Sequence, residues 1–209
     1  ILTSRGCDLF RDRTEHLAFT RDRITEAKMV AENSDVVILC MGLDETLEGE
    51  EGDTGNSYVS GDKEDIELPG VQRELMEVIA DTGKPVVFCL LAGSDLDLKY
   101  AAEKFDAVMM LWYPGCQGGK AAAKVMFGEI SPSGKLPVTF YESLEELPDF
   151  TDYSMKGRTY RYMERKAQFP FGYGLTYSNV AVDKAGVKTC GQKVNVEVEV
   201  RNNGAYDTE

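Results

Sequence analysis

Residues 35–42 read DVVILCMG, an apolar run with no polar residue between Val36 and Met41. A half-exposed strand alternates polar and apolar side chains. A short continuous run instead marks a strand of a parallel sheet, buried on both faces. Two further runs share the pattern, PVVFCLL at 85–91 and AVMMLWY at 107–113. Helical segments lie around them. RITEAKMVAENS (23–34) puts Ile24, Ala27, Val30 and Ala31 on one face. LPGVQRELMEVIADTGK (68–84) has Pro69 near its start, a stripe of Val71, Leu75, Val78 and Ile79, and Gly83 beyond its end. LDLKYAAEKF (96–105) is a short helix, and GGKAAAKVMFG (118–128) another, closed by Gly128. GKLPVTF (134–140) reads as a fourth strand.

Strand and helix thus alternate three times between residues 24 and 140. The expected fold is α/β: a mostly parallel sheet with helices on both faces, a three-layer α/β/α sandwich joined by right-handed crossovers. Beyond a Gly- and Tyr-rich connector the period changes to two. In KVNVEVEVRN (193–202), Val194, Val196, Val198 and Val200 alternate with polar residues, as in a half-exposed antiparallel strand. With NVAVDKAGV (179–187) this predicts the first strands of a β-sandwich that does not close within the chain. The expected organisation is a linker over 1–23, an α/β domain over 24–178 and an incomplete β-sandwich over 179–209.

Composition narrows the partners. The 209 residues are 43% hydrophobic and 10% aromatic, enough for a sizeable core. A net charge of −13 argues against nucleic acid and anionic membranes, which need clustered Lys and Arg. No apolar stretch approaches the ~20 residues of a membrane span. The chain begins at Ile1, so the lack of a visible leader says nothing. Five cysteines, with no Cys-x-x-Cys pair, give neither a disulfide framework nor a thiolate zinc site. Cys40 and Cys89, inside apolar runs, should behave as small hydrophobes. Free thiols favour a cytoplasmic location. The single histidine, His16, lies in the charged stretch RDRTEHLAF and reads as a surface residue rather than a catalyst; one His and scattered Cys also argue against a transition-metal centre, so no metal or cofactor is expected.

The segment DETLEGEEGDTGNSYVSGDKEDIE (44–67) holds ten acidic residues among 24, opposed only by Lys63. It leaves the carboxyl end of the first strand, the edge at which open α/β sheets bind ligands. It is also far longer than the ~2–6 residues of an ordinary βα loop. Two readings stand: a solvated surface loop, or a loop that holds a carboxylate for proton transfer, its pKa raised by like charge or apolar surroundings. The other motifs are weaker. YPGCQGGKA (113–121) fails the P-loop spacing, with Pro114 where the first Gly belongs and Ala121 after Lys120. LAGSDLD (91–97) is no nucleophile elbow, because Leu96 stands at the second Gly. Trp112, at the same sheet edge as the acidic loop, serves equally as a core residue or as a platform for a sugar ring.

Several ordered blocks resemble the carboxy-terminal half of glycoside hydrolase family 3 enzymes. They are GLDETLEGEEGDTGNSYVSGDKEDIELPGVQ (42–72), GKPVVFCLLAGS (83–94), LWYPGCQGGKAAAKVMFGEISPSGKLPVTF (111–140), GRTYRY (157–162) and FPFGYGLTYS (169–178). The resemblance implies the α/β-sandwich domain of a retaining, exo-acting β-glucosidase or β-xylosidase. The tail from Asn179 resembles the start of the fibronectin type III-like domain that often follows. By the same resemblance the substrate is a terminal non-reducing β-linked sugar of a plant oligosaccharide, or an aryl β-glycoside. The acid/base is a Glu of the acidic loop, Glu48 foremost and Glu50 as its alternative. The Asp nucleophile belongs to a (β/α)₈ barrel, which needs typically ~250 residues and is expected outside this chain. Where many members have Asp-Arg, this chain has Asp62-Lys63, and no role is carried over to that pair. The rival expectation is a non-catalytic, flavodoxin-like sugar-binding or interaction module.

Overall fold

The structure, a computed structural model, describes residues 1–10, 21–49 and 63–208. The chain divides into two compact units, residues 1–115 with 139–170 and residues 116–138 with 171–209.

The first unit is built on a parallel sheet. Strands β1 (Val37–Gly42), β2 (Val86–Leu91) and β3 (Ala107–Met110) pair in that order, with Val37 opposite Val86 and Val87 opposite Ala107. Helix α1 (Asp22–Glu32) precedes β1, α2 (Gly70–Ala80) joins β1 to β2, and α3 (Lys99–Lys104) joins β2 to β3. Of the apolar stripes expected of α1 and α2, Ile24, Ala27 and Ala31, then Leu75 and Ile79, are buried, while Val30 and Val71 are only half-buried. Met76 is buried where the pattern suggested Val78, and Gln72 joins it as a buried polar residue. The sheet contributes Leu39, Met41, Val86, Phe88 and Leu90 to the core. Phe88 is stacked on Phe105 with centroids 5.7 Å apart. Complete burial of such a ring stabilises by roughly 1.5–3 kcal/mol.

Three expectations need correction. Neither β1 nor β3 is buried on both faces: in β1, Ile38 and Cys40 are exposed, alternating with buried Leu39 and Met41, and in β3 Ala107 is exposed and Val108, Met109 and Met110 are only half-buried. Cys89 is fully buried as a small hydrophobe, but Cys40 is not. The segment 134–140 forms no strand among the described residues. Its Pro137 has no N–H to donate, and only a single bridge, Phe140 to Phe169, forms in the first unit.

In the second unit, α4 (Gly118–Met126) is joined to the C-terminal segment by side chains. Tyr177 Oη donates to the Val125 carbonyl at 3.0 Å, and Ser131 Oγ lies 2.8 Å from Thr176 Oγ1. Strands β4 (Val180–Cys190) and β5 (Lys193–Asn202) form an antiparallel hairpin with a register shift between Val182 and Lys184. The pairs Val182–Val200 and Val187–Val196 align the valines. The half-burial expected for β5 is not met: Val196 is 62% exposed and the strand is open on both faces. The antiparallel pairing itself is as expected.

Candidate functional site

The chain leaves β1 through Gly42, whose φ of 151° and close approach to the neighbouring strand leave no room for a side chain. A Cβ there would stand 1.8 Å from the Leu91 carbonyl oxygen. The buried Gln72 of α2 brackets this residue, accepting from its N–H at 2.9 Å and donating to its carbonyl at 2.6 Å. The strand end is therefore fixed before the loop starts. Asp44 then folds DETLE into a turn. Its carboxylate accepts from Thr46 N and Thr46 Oγ1, at 2.9 and 2.6 Å. Its carbonyl accepts from Leu47 N and Glu48 N, both at 3.0 Å. Leu47 is buried, and Glu48 is turned back over the sheet edge.

There Glu48 meets residues from the ends of the other two strands. Past β2, the Gly93 N–H donates to Glu48 Oε2 at 2.8 Å, and the Ser94 hydroxyl donates to Oε1. Past β3, the Tyr113 hydroxyl donates to Oε2. Gly93 is needed for the approach: a Cβ on it would lie 2.9 Å from the Tyr113 ring and 3.1 Å from Glu48 Oε2. Lys63, at the far end of the acidic segment, donates to Ser94 Oγ at 2.9 Å and to the Asp95 carbonyl at 3.1 Å. Residues 48 and 63 are thus both tied to the Gly93–Asp95 turn. Glu50 and the rest of the segment to Asp62 lie outside the described residues, as does His16.

Burial pushes the Glu48 carboxyl up, but the bonds from Ser94, Tyr113 and Gly93, with the Lys63 charge, outweigh it and hold the group below its ordinary range. Tyr113 is shifted upward, by burial and then by the carboxylate it serves. Lys63 is shifted downward by burial, against the pull of Glu48, Asp95 and Asp65. Asp95 behaves differently from Glu48. Burial raises it to about 6, although the Tyr141 N–H donates to its Oδ2 at 2.8 Å. Its Oδ1 is buried with no hydrogen-bond partner.

β3 stops at Met110, two residues before the tryptophan expected to end it. Trp112 has φ 52°, a left-handed conformation that costs a bulky L-residue about 1–3 kcal/mol. Its indole meets the buried Phe140 edge-on, with centroids 6.4 Å apart. The ring therefore packs within the first unit while the reversed backbone presents Tyr113.

Of the two site candidates from the sequence, the structure describes Glu48. Ser94, Tyr113 and Lys63 were missed as partners. As motifs LAGSD reads as a failed nucleophile turn and YPG as a failed phosphate loop, and neither reading marks a partner for Glu48. The usable signal was position: each lies within three residues of a parallel strand's carboxyl end, or at the close of the loop leaving one. Among the described residues, no group of three or more His, Cys, Asp or Glu is arranged to hold a metal ion, and no helix is long and apolar enough to cross a membrane.

A half-buried carboxylate is braced at the carboxyl edge of a parallel sheet, the edge at which α/β folds bind ligands. Residues 8–177 match the glycosyl hydrolase family 3 C-terminal domain, and the chain belongs to that family. It is 47% identical over 171 residues to a xylan 1,4-β-xylosidase of Xylanibacter ruminicola, covering 80% of this chain and 20% of that protein. Among solved structures it resembles a β-glucosidase of Erythrobacter marinus, with a TM-score of 0.77 and 32% identity over 96% of this chain and 29% of that one. It also resembles a family 3 exo-β-xylosidase solved with a xylobiose aziridine probe, with a TM-score of 0.69 and 27% identity over 84% of this chain and 22% of that one. The chain spans less than a third of the length of each of these relatives.

Proposed function

We propose that this chain is the acid/base-bearing part of a retaining, exo-acting β-glycosidase that removes terminal β-linked xylose or glucose. Glu48 is the residue assigned to proton transfer, and a barrel outside these residues supplies the Asp nucleophile. The observation that carries the reading is the convergence of three donors, from the segments that follow β2 and β3, on the one carboxylate that follows β1. The substrate class comes from the β-xylosidases and β-glucosidases this chain resembles.

The charge state of Glu48 fits one half of the reaction directly. Held ionised, it is the base that removes a proton from water when the glycosyl-enzyme is hydrolysed. The other half needs it protonated. In retaining glycosidases the nucleophile carboxylate lies about 5–5.5 Å away, and a like charge at that range pushes the acid's pKa up. Once the nucleophile is glycosylated that charge is gone, and Glu48 returns to its ionised form. The acid state therefore depends on the barrel, and the 209-residue chain alone is expected to be inactive.

The test is made in the full-length protein. Glu48→Gln should spare the glycosylation of substrates with activated aryl leaving groups. It should slow unactivated disaccharides by about 10²–10⁴-fold. Glu50→Gln should leave both substrate types turning over normally. The reverse pattern would move the role to Glu50, and equal losses on both substrate types would remove it from Glu48.

We also propose that the β4–β5 hairpin opens a fibronectin type III-like sandwich. The exposed valines aligned on one face support this, because an isolated two-stranded hairpin is marginally stable in water.

A further inference from the structure

We propose that Tyr113, aimed by the left-handed Trp112 and seated against Gly93, is a positioning residue that fixes which oxygen of Glu48 exchanges the proton. The proposal rests on the reading of Glu48 as the acid/base. Glu48 Oε2 accepts from the Gly93 N–H and the Tyr113 hydroxyl, whereas Oε1 accepts from the Ser94 hydroxyl. The two oxygens are chemically unequal. With the Gly93 N–H and the Tyr113 hydroxyl both donating, both lone pairs of Oε2 are occupied, so it takes up a proton only by giving up one of these bonds. A hydroxyl can rotate from donor to acceptor, so Oε1 can be protonated while Ser94 stays in contact. The proton therefore enters and leaves at Oε1. Tyr113 fills the second lone pair of Oε2 and so leaves Oε1, which accepts from Ser94, as the oxygen open to the proton.

The strain behind Tyr113 supports a dedicated role. Trp112 keeps φ 52° with a bulky side chain, where glycine would be unstrained, and its ring is held by Phe140. Tyr113 is itself 52% exposed, so core packing does not account for its placement. The clearance at Gly93 is matched to it: a methyl group there would meet the Tyr113 ring at 2.9 Å and Oε2 at 3.1 Å.

Two variants test this. Tyr113→Phe keeps the ring and removes the donor. Gly93→Ala keeps every hydroxyl and pushes the ring and the carboxylate apart. The first measurement is the carbon-13 titration of Glu48 in the 209-residue chain, where each variant should raise its pKa by about one unit. The second is the pH profile of kcat/KM in the full-length enzyme. Its basic limb reports the protonated acid and should move up by the same amount in Tyr113→Phe, with kcat falling more than KM changes. An unmoved Glu48 titration overturns the proposal. So does a basic limb that stays in place although Glu48→Gln inactivates the same enzyme, because Tyr113 is then merely structural. If Glu48→Gln leaves unactivated substrates turning over normally, the acid/base reading has failed, and the proposal falls with it whatever the titration shows.

Discussion

On one side of the Gly93–Asp95 turn, Glu48 receives a backbone N–H and two hydroxyls. On the other, Asp95 receives one backbone N–H on Oδ2 while its Oδ1 is buried without a partner. Lys63 is common to both, through Ser94 Oγ and the Asp95 carbonyl. One cation and one turn therefore serve two carboxyls whose shifts run in opposite directions. Glu48 is held down and Asp95 is raised to about 6. Burial acts on both, and the difference lies in the donors and in the like charge of Asp97, which raises Asp95 further. At Glu48 the two hydroxyls and the amide outweigh desolvation, whereas at Asp95 the backbone N–H groups of Tyr141 and Leu96 and the Lys63 charge do not.

The largest effect that could break this contrast is catalytic. If the donors mark the working carboxylate, Glu48→Gln in the full-length enzyme should cost about 10²–10⁴-fold in kcat/KM on an unactivated disaccharide. Asp95→Asn should stay within roughly tenfold, because amide and carboxyl have the same shape and Asp95 is turned toward Tyr141 rather than toward Glu48. A larger loss for Asp95→Asn than for Glu48→Gln would reverse the assignment.

The next effect is on stability. Asp95 has a folded pKa of about 6, above the ~3.9 of an unfolded aspartate. Such a group contributes stability that is fully present below the unfolded value and is lost as pH rises through the folded one. Between pH 4 and 7 the chain should lose about 1–2 kcal/mol from this source, after a discount for partial solvent screening. Asp95→Asn removes the titration. Its stability relative to the parent, measured by urea unfolding, should therefore rise by that amount across the same range. A difference that stays flat with pH would show that Asp95 is not strained by its burial. Glu48 has the opposite sign: its contribution is present above the unfolded value and is lost as pH falls through its lowered pKa.

The contrast also shows what a sequence can and cannot disclose. The parallel strands were legible because three apolar runs, separated by helical periods, admit few other folds. The position of the acidic segment followed from the strand before it. Glu48 stood out by resemblance, but nothing in DETLEGEEG says which carboxylate meets donors. Those donors come from Gly93, Ser94 and Tyr113, 45 or more residues away, and are set by strand order and by the left-handed turn at Trp112. The buried state of Asp95 was equally silent, since LAGSD looks like any polar turn. The exposed faces of β1 and β5 went the other way. Apolar composition announces what a strand is suited to pack against, not what is present to cover it.

The smallest expected effect probes the shared cation. Lys63→Met keeps much of the aliphatic stem and removes the charge that both carboxyls feel. Both should then titrate higher, by about half a unit or less, because the charge is secondary to burial at Asp95 and to the hydroxyl and amide bonds at Glu48. Asp95 should move further. It has fewer other donors, so the Lys63 charge is a greater share of what opposes its desolvation. Glu48 keeps Gly93, Ser94 and Tyr113 and should remain below an ordinary glutamate. A carbon-13 titration of both carboxyls in one sample reads the two shifts together. If Glu48 instead rises past Asp95, the ammonium rather than the three donors is what keeps it ionised, and the contrast between the two sides of the turn reduces to which carboxyl lies nearer Lys63.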